Sequence, residues 1–504
     1  MALSVMVVGI CLFTTAHTSD NGPEEFVLGF MYNPPASESD GPLEVYVTSR
    51  STSDIRGNVS YSTVYQTFIL YPLTSLRIDI SVLLVMMQKY QSRGQKGVVV
   101  NTDRKDVNVV CLTKQNGSSD GFMSIPTSNL GQVYRACVYF PFSRKSQIAV
   151  IGVKNNTSVV ITLSANANAS GAQFGPLVYN PGDSISATIN RLEVIAVQST
   201  GDLSGSRVTA DQKVVFYSGN SNTEVNGAGP GHLVEQLVPV NQWGTKFIVP
   251  STLPNGTVTV KVISDTTCPT AVIAKICTHF FAASYEYFVL KSILTFEIQY
   301  QYNCFFSSDE PVMMVMYVAM SNTTKDPTMT IIPDVEHFDD TYAFEAPPTK
   351  RNSPALEIVL VLVVKEEHKD SLLLSGNSFS DSLTFDSVLD TSFVVGITTI
   401  STGYHTLQAS GDFLAIIFGI DVGESYSFPL GLADVDYNSG LFRVATDNFS
   451  TSNRRFTYYD RRCRRNIMDG AFFERLEFSS CCFYRTLNHI ESYRLNNESY
   501  SPNL

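Results

Sequence analysis

GVVVNTDRKDVNVVCL at 97–112, GSRVTADQKVVFYSG at 205–219, FFSSDEPVMMVMYVAM at 305–320 and HTLQASGDFLAIIFGI at 405–420 share one layout. In each, an apolar residue (Val100, Val208, Phe306, Leu407) precedes a polar turn of five or six residues, and a strongly apolar strand follows. The anchors lie 108, 98 and 101 residues apart, and a pair of alternating strands precedes each cassette, beginning near Phe26, Ile148, Val258 and Leu356. Four copies at near-even spacing identify an internal repeat. A period near 100 residues is the size of one β-sandwich, whereas propeller blades are usually shorter. The expected architecture is therefore all-β, with about four tandem sandwich-like units near 24–135, 136–250, 251–350 and 351–432. A β-propeller-like arrangement of the repeats is the alternative. Period-two alternation recurs at LEVYV (43–47), VVIT (159–162), TVTVKV (257–262) and LEIVLVLVV (356–364). A helix is expected only around Met468–Phe478.

Composition agrees with that reading and narrows the function. The 504 residues are 44% hydrophobic and only 16% charged, enough to bury several cores. A net charge of −12 argues against a nucleic-acid partner, which needs a basic footprint. The longest apolar runs, near Ile80–Met87 and Ile358–Val364, are strand-sized, so no membrane span is expected.

Residues 1–19, MALSVMVVGICLFTTAHTS, read as a secretory signal peptide: an apolar stretch from Leu3 to Phe13, then small and polar residues. A buried first strand is the alternative. Nine Asn-x-Ser/Thr acceptors, at Asn58, Asn116, Asn155, Asn156, Asn168, Asn255, Asn322, Asn448 and Asn497, suit an exported glycoprotein. Asn155 and Asn156 overlap, so one of the two is expected to carry a glycan. Without Cys11, eight cysteines remain (Cys111, Cys137, Cys268, Cys277, Cys304, Cys463, Cys481, Cys482). An even number in an exported chain is consistent with disulfides. The expected pairs are Cys111–Cys137, Cys304 with Cys268 or Cys277, and one of the adjacent Cys481 and Cys482 with Cys463. Free buried thiols are the alternative. Neither a Cys-x-x-Cys nor a Cys/His set with zinc spacing occurs.

Enzyme motifs are weak. Gly117-Ser118-Ser119-Asp120-Gly121 matches a nucleophile elbow, but it lies between apolar strands without a following helix, so a β-turn is the better reading. Seven scattered histidines form no ligand set. Neither a phosphate loop nor a dinucleotide fingerprint is present, and no cofactor is implied. The run Asp334-Val335-Glu336-His337-Phe338-Asp339-Asp340 lacks EF-hand spacing and reads as a solvated loop before a calcium site.

Several stretches resemble the amino-terminal domain of the IgG Fc-binding protein family of secreted, mucus-associated and invertebrate extracellular proteins. They are EFVLGFM (25–31), LEVYVTS (43–49), SSDGFMSIPTSNLG (118–131), NNTSVVIT (155–162), GDLSGSRVTADQKVVFYSGN (201–220), HLVEQLVPVNQWGTKFIVP (232–250) and GYHTLQASGDFLAIIFG (403–419). The resemblance spans residues 24–432 and implies non-enzymatic extracellular binding or adhesion, in mucus or innate defence, toward a protein or glycan ligand. Two departures limit it. SNTEVNGAGPG at 221–231 lacks the cysteines the family commonly places there, and no cysteine-rich von Willebrand-type modules appear after residue 432. Mucin-like covalent polymerisation is therefore not implied, and since the family name comes from immunoglobulin binding by one branch, that ligand is not carried over. Within the most specific stretch, His232 and Glu235 read as structural hydrogen-bonders before an acid–base pair, and the lone Trp243 as core before a ligand platform.

The tail, 433–504, breaks from the rest: residues 449–504 carry nine Arg against six acidic residues. Arg461-Arg462-Cys463-Arg464-Arg465 suggests dibasic processing after Arg465, polyanion binding, or a basic face docked on an acidic body. The leading expectation is a secreted binding module. A self-associating matrix component, disulfide-linked through the tail, is the second. A secreted hydrolase using Ser119 or His232/Glu235 is a distant third.

Overall fold

A computed structural model describes residues 22–433, apart from 35–40, 116, 143, 166–170, 228, 252–255, 266–269, 277–283, 291–292, 299–302, 321–324, 350–355 and 381–382. The signal-peptide and helix expectations, and the whole basic tail beyond residue 433, lie outside the described residues. What is described is all-β. Besides one helical turn at Val82–Val85 and four short 3-10 turns, every regular element is a strand.

The cassettes became the longest strands, and the expected turn is not a turn. Arg207–Thr223, Cys304–Met320 and Gly403–Asp421 each run 17 to 19 residues without a break. The polar residues form a wide bulge instead. Opposite Gly131–Val133 the register jumps from Val214 to Thr209, so Ala210-Asp211-Gln212-Lys213 have no paired partner on that strand. The same jump spans Ser308–Pro311 and Ala409–Asp412. A bulge bends the strand and increases its twist, which lets one strand serve two sets of partners along its length. In the first cassette the chain does break, into Val98–Thr102 and Val107–Gln115, which belong to two separate four-stranded sheets.

The later repeats form sheets of ten, seven and eight described strands. Each long strand's apolar half lies between two antiparallel partners. These are Ser146–Gly152 and Gly231–Gln236, Gly256–Ser264 and Thr328–Ile332, and Glu357–Lys365 and Glu424–Pro429.

Sandwich-like layers are present, and they form between the sheets of successive repeats. Along the third long strand, Met313, Val315, Tyr317 and Ala319 enter a core shared with the first two repeats. The alternate residues Met314, Met316 and Val318 face the fourth repeat's Val359, Val361, Val363, Ile416 and Phe418. The other face of that fourth sheet, Leu360, Leu362, Ala415 and Ile417, packs on Tyr46, Val110 and Leu112 of the first. A strand buried on both faces must be apolar at every position rather than at alternate ones. That is why LEIVLVLVV and VMMVMYVAM look the way they do. The fourth repeat thus returns to the first. Hydrogen bonds along this seam confirm the closure: Thr48 Oγ1 to Ala343 O (3.0 Å), Asn108 Nδ2 to Leu430 O (3.2 Å) and Tyr404 Oη to Ser49 O (2.8 Å).

The junctions between repeats form a second repeated motif, invisible to the cassette search. Pro126, Pro239 and Asp334 each cap a 3-10 turn, and a strand starts five residues after the cap, at Gly131, Gly244 and Asp339. Two of these strands carry the same tyrosine. The Tyr134 hydroxyl accepts from Gly131 N–H (2.8 Å) and donates to Val214 O (2.7 Å). The Tyr342 hydroxyl accepts from Asp339 N–H (3.0 Å) and donates to Phe413 O (2.5 Å). In both cases the hydroxyl pins the bulge to the junction. The middle junction has Phe247, and there Asp334 Oδ2 accepts from Thr245 and Lys246 N–H instead (2.6 and 2.7 Å). Glycine is required at the middle junction, since a Cβ on Gly244 would sit 2.1 Å from the Asp334 carboxylate. Replacing Tyr134 or Tyr342 by phenylalanine leaves a buried N–H and a carbonyl unpaired, so each is expected to cost about 1–3 kcal/mol of unfolding free energy in urea.

Candidate functional site

The most specific stretch of sequence lies at the centre of the molecule. Four strands, each following its repeat's cassette, meet there: Ser118–Met123, Gly231–Gln236, Thr328–Ile332 and Glu424–Pro429. Every residue in all four is buried. The first touches the second and fourth, and the third also touches the second and fourth, so contact runs round a closed circuit.

Asp120 holds this circuit together. Its Oδ1 accepts from Gly121 N–H (2.9 Å), while Oδ2 accepts from Val234 N–H (3.1 Å) and Met329 N–H (3.3 Å). The Ser427 N–H faces the same carboxylate. One side chain therefore meets backbone donors from all three other strands. Burial pushes its carboxyl well above the usual range, and the four donors pull it back. Glu235 is a second such group, with Oε2 accepting from Ile331 N–H (3.1 Å) and Oε1 from Gln236 N–H (3.2 Å). Burial, and then the charge of Asp120, raises it as well. Around them Ser118 Oγ accepts from His232 N–H (2.8 Å), Ser119 N–H donates to Asp326 Oδ2 (3.0 Å), and Ser119 Oγ donates to Ser425 O (2.9 Å).

The arrangement does not place Ser119 or the His232/Glu235 pair as the enzyme motifs would need them. Ser119 is buried inside a strand with its hydroxyl already committed, so the G-x-S-x-G match is not an exposed elbow. Its first residue, Gly117 with φ 72°, lies in a turn, and the other four continue as strand. His232 and Glu235 are three apart on one strand, which sends their side chains to opposite faces. They form no acid–base pair. His232 is enclosed, and neither ring nitrogen has a hydrogen-bond partner. Burial depresses it to about 4, only partly offset by the nearby carbonyls of Ser221 and Asn220.

A pH signature follows from these shifts. A histidine whose folded value lies below its unfolded value of about 6.5 stabilises fully above 6.5, and that contribution is lost as pH falls from there toward 4. The two raised carboxyls act oppositely: their contribution is present at low pH and is lost as pH rises through their folded values. His232→Leu removes only the first effect. The difference in unfolding free energy between wild type and His232→Leu is expected to change by about 3 kcal/mol between pH 7 and pH 4, read from urea midpoints. A flat difference would show that His232 does not titrate with unfolding.

The acidic run is also structural rather than a solvated loop. Asp334 is buried, and besides Thr245 and Lys246 it accepts from Glu336 N–H (2.8 Å). No group of three or more His, Cys, Asp or Glu is placed to hold a metal ion among the described residues. Trp243 is core, its Nε1 donating to Val238 O (3.3 Å). It lines a small pocket with Phe247, Met314, Asp334 and His337.

The cysteines require a correction. Cys111 and Cys137 are both buried and free, so the expected disulfide between them is not formed. The reason is topological. Cys111 lies opposite Val45 and Phe122 in a sheet of the first repeat. Cys137 is tied to the second repeat, where its N–H donates to Ser218 Oγ (3.0 Å), and its thiol faces Tyr317 Oη at 3.3 Å. Burial lifts the Cys137 thiol to about 11 and Cys111 well above its usual value, which makes both poor nucleophiles. Cys304 is buried opposite Val249 and Ile276. Cys268, Cys277, Cys463, Cys481, Cys482 and Arg465 lie outside the described residues.

Three glycosylation acceptors are described. Asn58 is half-buried on the strand Ile55–Tyr61, accepting from Asn101 Nδ2 (3.1 Å), while Asn155 and Asn156 are exposed in the turn before Thr157–Thr162. Asn116, Asn168, Asn255, Asn322, Asn448 and Asn497 lie outside the described residues.

What remains accessible is the outer surface. Sequence reasoning missed its most distinctive part, the segment Tyr139–Phe142 with Arg144 and Lys145, together with Lys89 and Tyr90. Phe140, Phe142 and Tyr90 are 45%, 62% and 50% exposed. Two phenylalanines within three residues read as core in a strand-rich chain. Only the following Ser-Arg-Lys hinted at a surface segment.

The comparisons with known proteins agree with the sequence resemblance. The family profile described as IgGFc binding protein matches residues 120–419, more than half of the chain. The human IgGFc-binding protein is 23% identical over 437 residues, covering 84% of this chain and 8% of its own length. The chain therefore spans a small part of that relative. Among solved structures, a Ca2+-stabilized adhesin that helps an Antarctic bacterium reach out and bind ice is 9% identical, covering 82% of this chain and 99% of that one. Its TM-score of 0.12 carries no argument about this fold. The family match begins at the hub carboxylate Asp120 and runs to Gly419 on the last long strand, and the protein belongs to the IgGFc binding protein family.

Proposed function

We propose that this protein is a secreted, N-glycosylated, non-enzymatic binding module that recognises an extracellular protein or glycan, in adhesion, mucus organisation or innate defence. The observation that carries the reading is the family match over residues 120–419. Support comes from the use of its polar groups: Asp120, Glu235, Ser119 and Asp334 are buried and hydrogen-bonded to strands, which suits recognition by the outer loops rather than chemistry. No described helix is long and apolar enough to cross a membrane. Removal of residues 1–19, glycans on the acceptor asparagines (with only one of Asn155 and Asn156 modified) and processing after Arg465 belong to the same proposal. The immunoglobulin Fc named in the human relative's description is one ligand to test.

The test is expression in a secretory cell, recovery from the medium, and capture of partners from native body fluid, with mass spectrometry and a non-reducing gel. Enrichment of one extracellular glycoprotein or microbial surface supports the proposal. Recovery of disulfide-linked copies alone replaces it with the self-associating matrix reading. A chain retained in the cytosol without glycans overturns it. Asn58→Gln should remove one glycan from the secreted product's mass.

A further inference from the structure

We propose that the surface formed by Tyr90, Phe140 and Phe142 with Lys89, Arg144 and Lys145 is a binding site for a sulfated glycan chain. The inference rests on the binding reading above and gives it a ligand class.

The segment is built, not merely exposed. It is clamped to the end of the long strand Arg207–Thr223 by a row of hydrogen bonds. Asn220 meets both backbone groups of Tyr139 (2.9 Å each), Thr223 Oγ1 donates to Phe140 O (2.7 Å), and Ser221 N–H donates to Lys145 O (2.9 Å). Ser221 and Thr223 are two residues apart, so the backbones of Phe140 and Lys145 are anchored roughly 7 Å from each other. Phe142 N–H also donates to Phe140 O (3.1 Å), and the two rings meet edge to face at 5.3 Å. Rings held this way lose little freedom when a ligand arrives, the saving that pre-organisation provides.

Cations border the rings. Lys89 and Lys145 stand over the Tyr90 ring, 5.1 and 5.6 Å from its centroid, and Arg144 is exposed beside Phe142 in sequence. None of the three pairs with a carboxylate among the described residues. On a chain of net charge −12, three uncompensated cations next to exposed aromatic rings are a local reversal of sign. A sulfated sugar needs both parts: an aromatic face for the apolar C–H side of the ring, and ammonium or guanidinium groups for its sulfates.

Size favours a glycan over a protein partner. Three rings, each about half covered, offer far less than the roughly 800 Å² per side of a stable protein interface, and they suit one to three sugar units.

The test uses the full secreted chain and a fluorescent heparin hexasaccharide, followed by anisotropy. Wild type should bind, with affinity falling as salt rises. Phe142→Ala and the pair Lys89→Gln/Lys145→Gln should each weaken binding at least about fivefold. All three residues are at the surface, so the unfolding midpoint should not move. Four results overturn the site: no binding by wild type; equal binding by the variants, which places the glycan elsewhere; equal affinity for dextran sulfate of matched charge with no effect of Phe142→Ala; or a preference for phosphatidylserine vesicles. If the variants lose heparin but still capture the protein partner found above, the glycan site and the broader binding reading both stand. If the variants keep heparin while capture persists, only this site falls.

Discussion

Asp120→Ala is expected to abolish the yield of folded protein, or to leave a product with most of its stability gone. The substitution strands the N–H groups of Gly121, Val234 and Met329, with that of Ser427 beside them, in a region closed to water. Each unpaired buried donor costs about 1–3 kcal/mol. Burying a carboxylate is itself costly, so its removal returns part of that sum, and a net loss of several kcal/mol remains. Against a total stability of about 5–15 kcal/mol for a folded domain, this is decisive. Asp120→Asn should fall between, because it keeps the volume and one acceptor oxygen but turns an amide N–H₂ toward other donors. Yield of folded protein and urea unfolding are the measurements. A wild-type midpoint for Asp120→Ala would falsify the role of Asp120 as the hub.

The second large effect lies on the seam between the first and fourth repeats. Lys114 and Glu44 are both buried and meet at 2.5 Å. Tyr46 donates to the same carboxylate (2.9 Å), and Lys114 also donates to the carbonyl of Pro348. Burial lowers the Lys114 ammonium and, with the charge of Glu44, raises the Tyr46 hydroxyl. Breaking a buried pair costs more than the pair is worth, because the survivor keeps its desolvation penalty. Lys114→Met should therefore cost about 3–5 kcal/mol, softened to the extent that the half-exposed Arg77, 3.1 Å from Glu44, takes over. Glu44→Gln combined with Lys114→Met should recover most of that loss. Additive losses in the double variant would mean that the two side chains act independently.

The strands, the four copies and the family were legible in the sequence because apolar alternation and the cassettes are local patterns. The core status of Trp243 was legible for the same reason. What decided the arrangement was not local. Asp120 looked like part of a hydrophilic turn, and only its three partners, 114 to 307 residues away, make it a hub. The junction tyrosines Tyr134 and Tyr342 were hidden by the unequal spacing of the junctions and by Phe247 in the middle copy. The Cys111–Cys137 pairing was inferred from short separation along the chain, which says little when the strands between belong to different sheets. The bulges were read as turns because they hold Asp, Ser, Gly and Pro, the residues that dominate turns.

Closure of the circuit has a consequence in time. Asp120 leaves the ribosome 307 residues before Ser427. At roughly 5–20 residues per second the first central strand waits about 15–60 s for its last neighbour. Throughout that interval Tyr46, Val110 and Leu112, which the fourth repeat covers in the finished fold, are open apolar surface. Rapid synthesis of the last repeat should therefore protect the protein as surely as any contact within it.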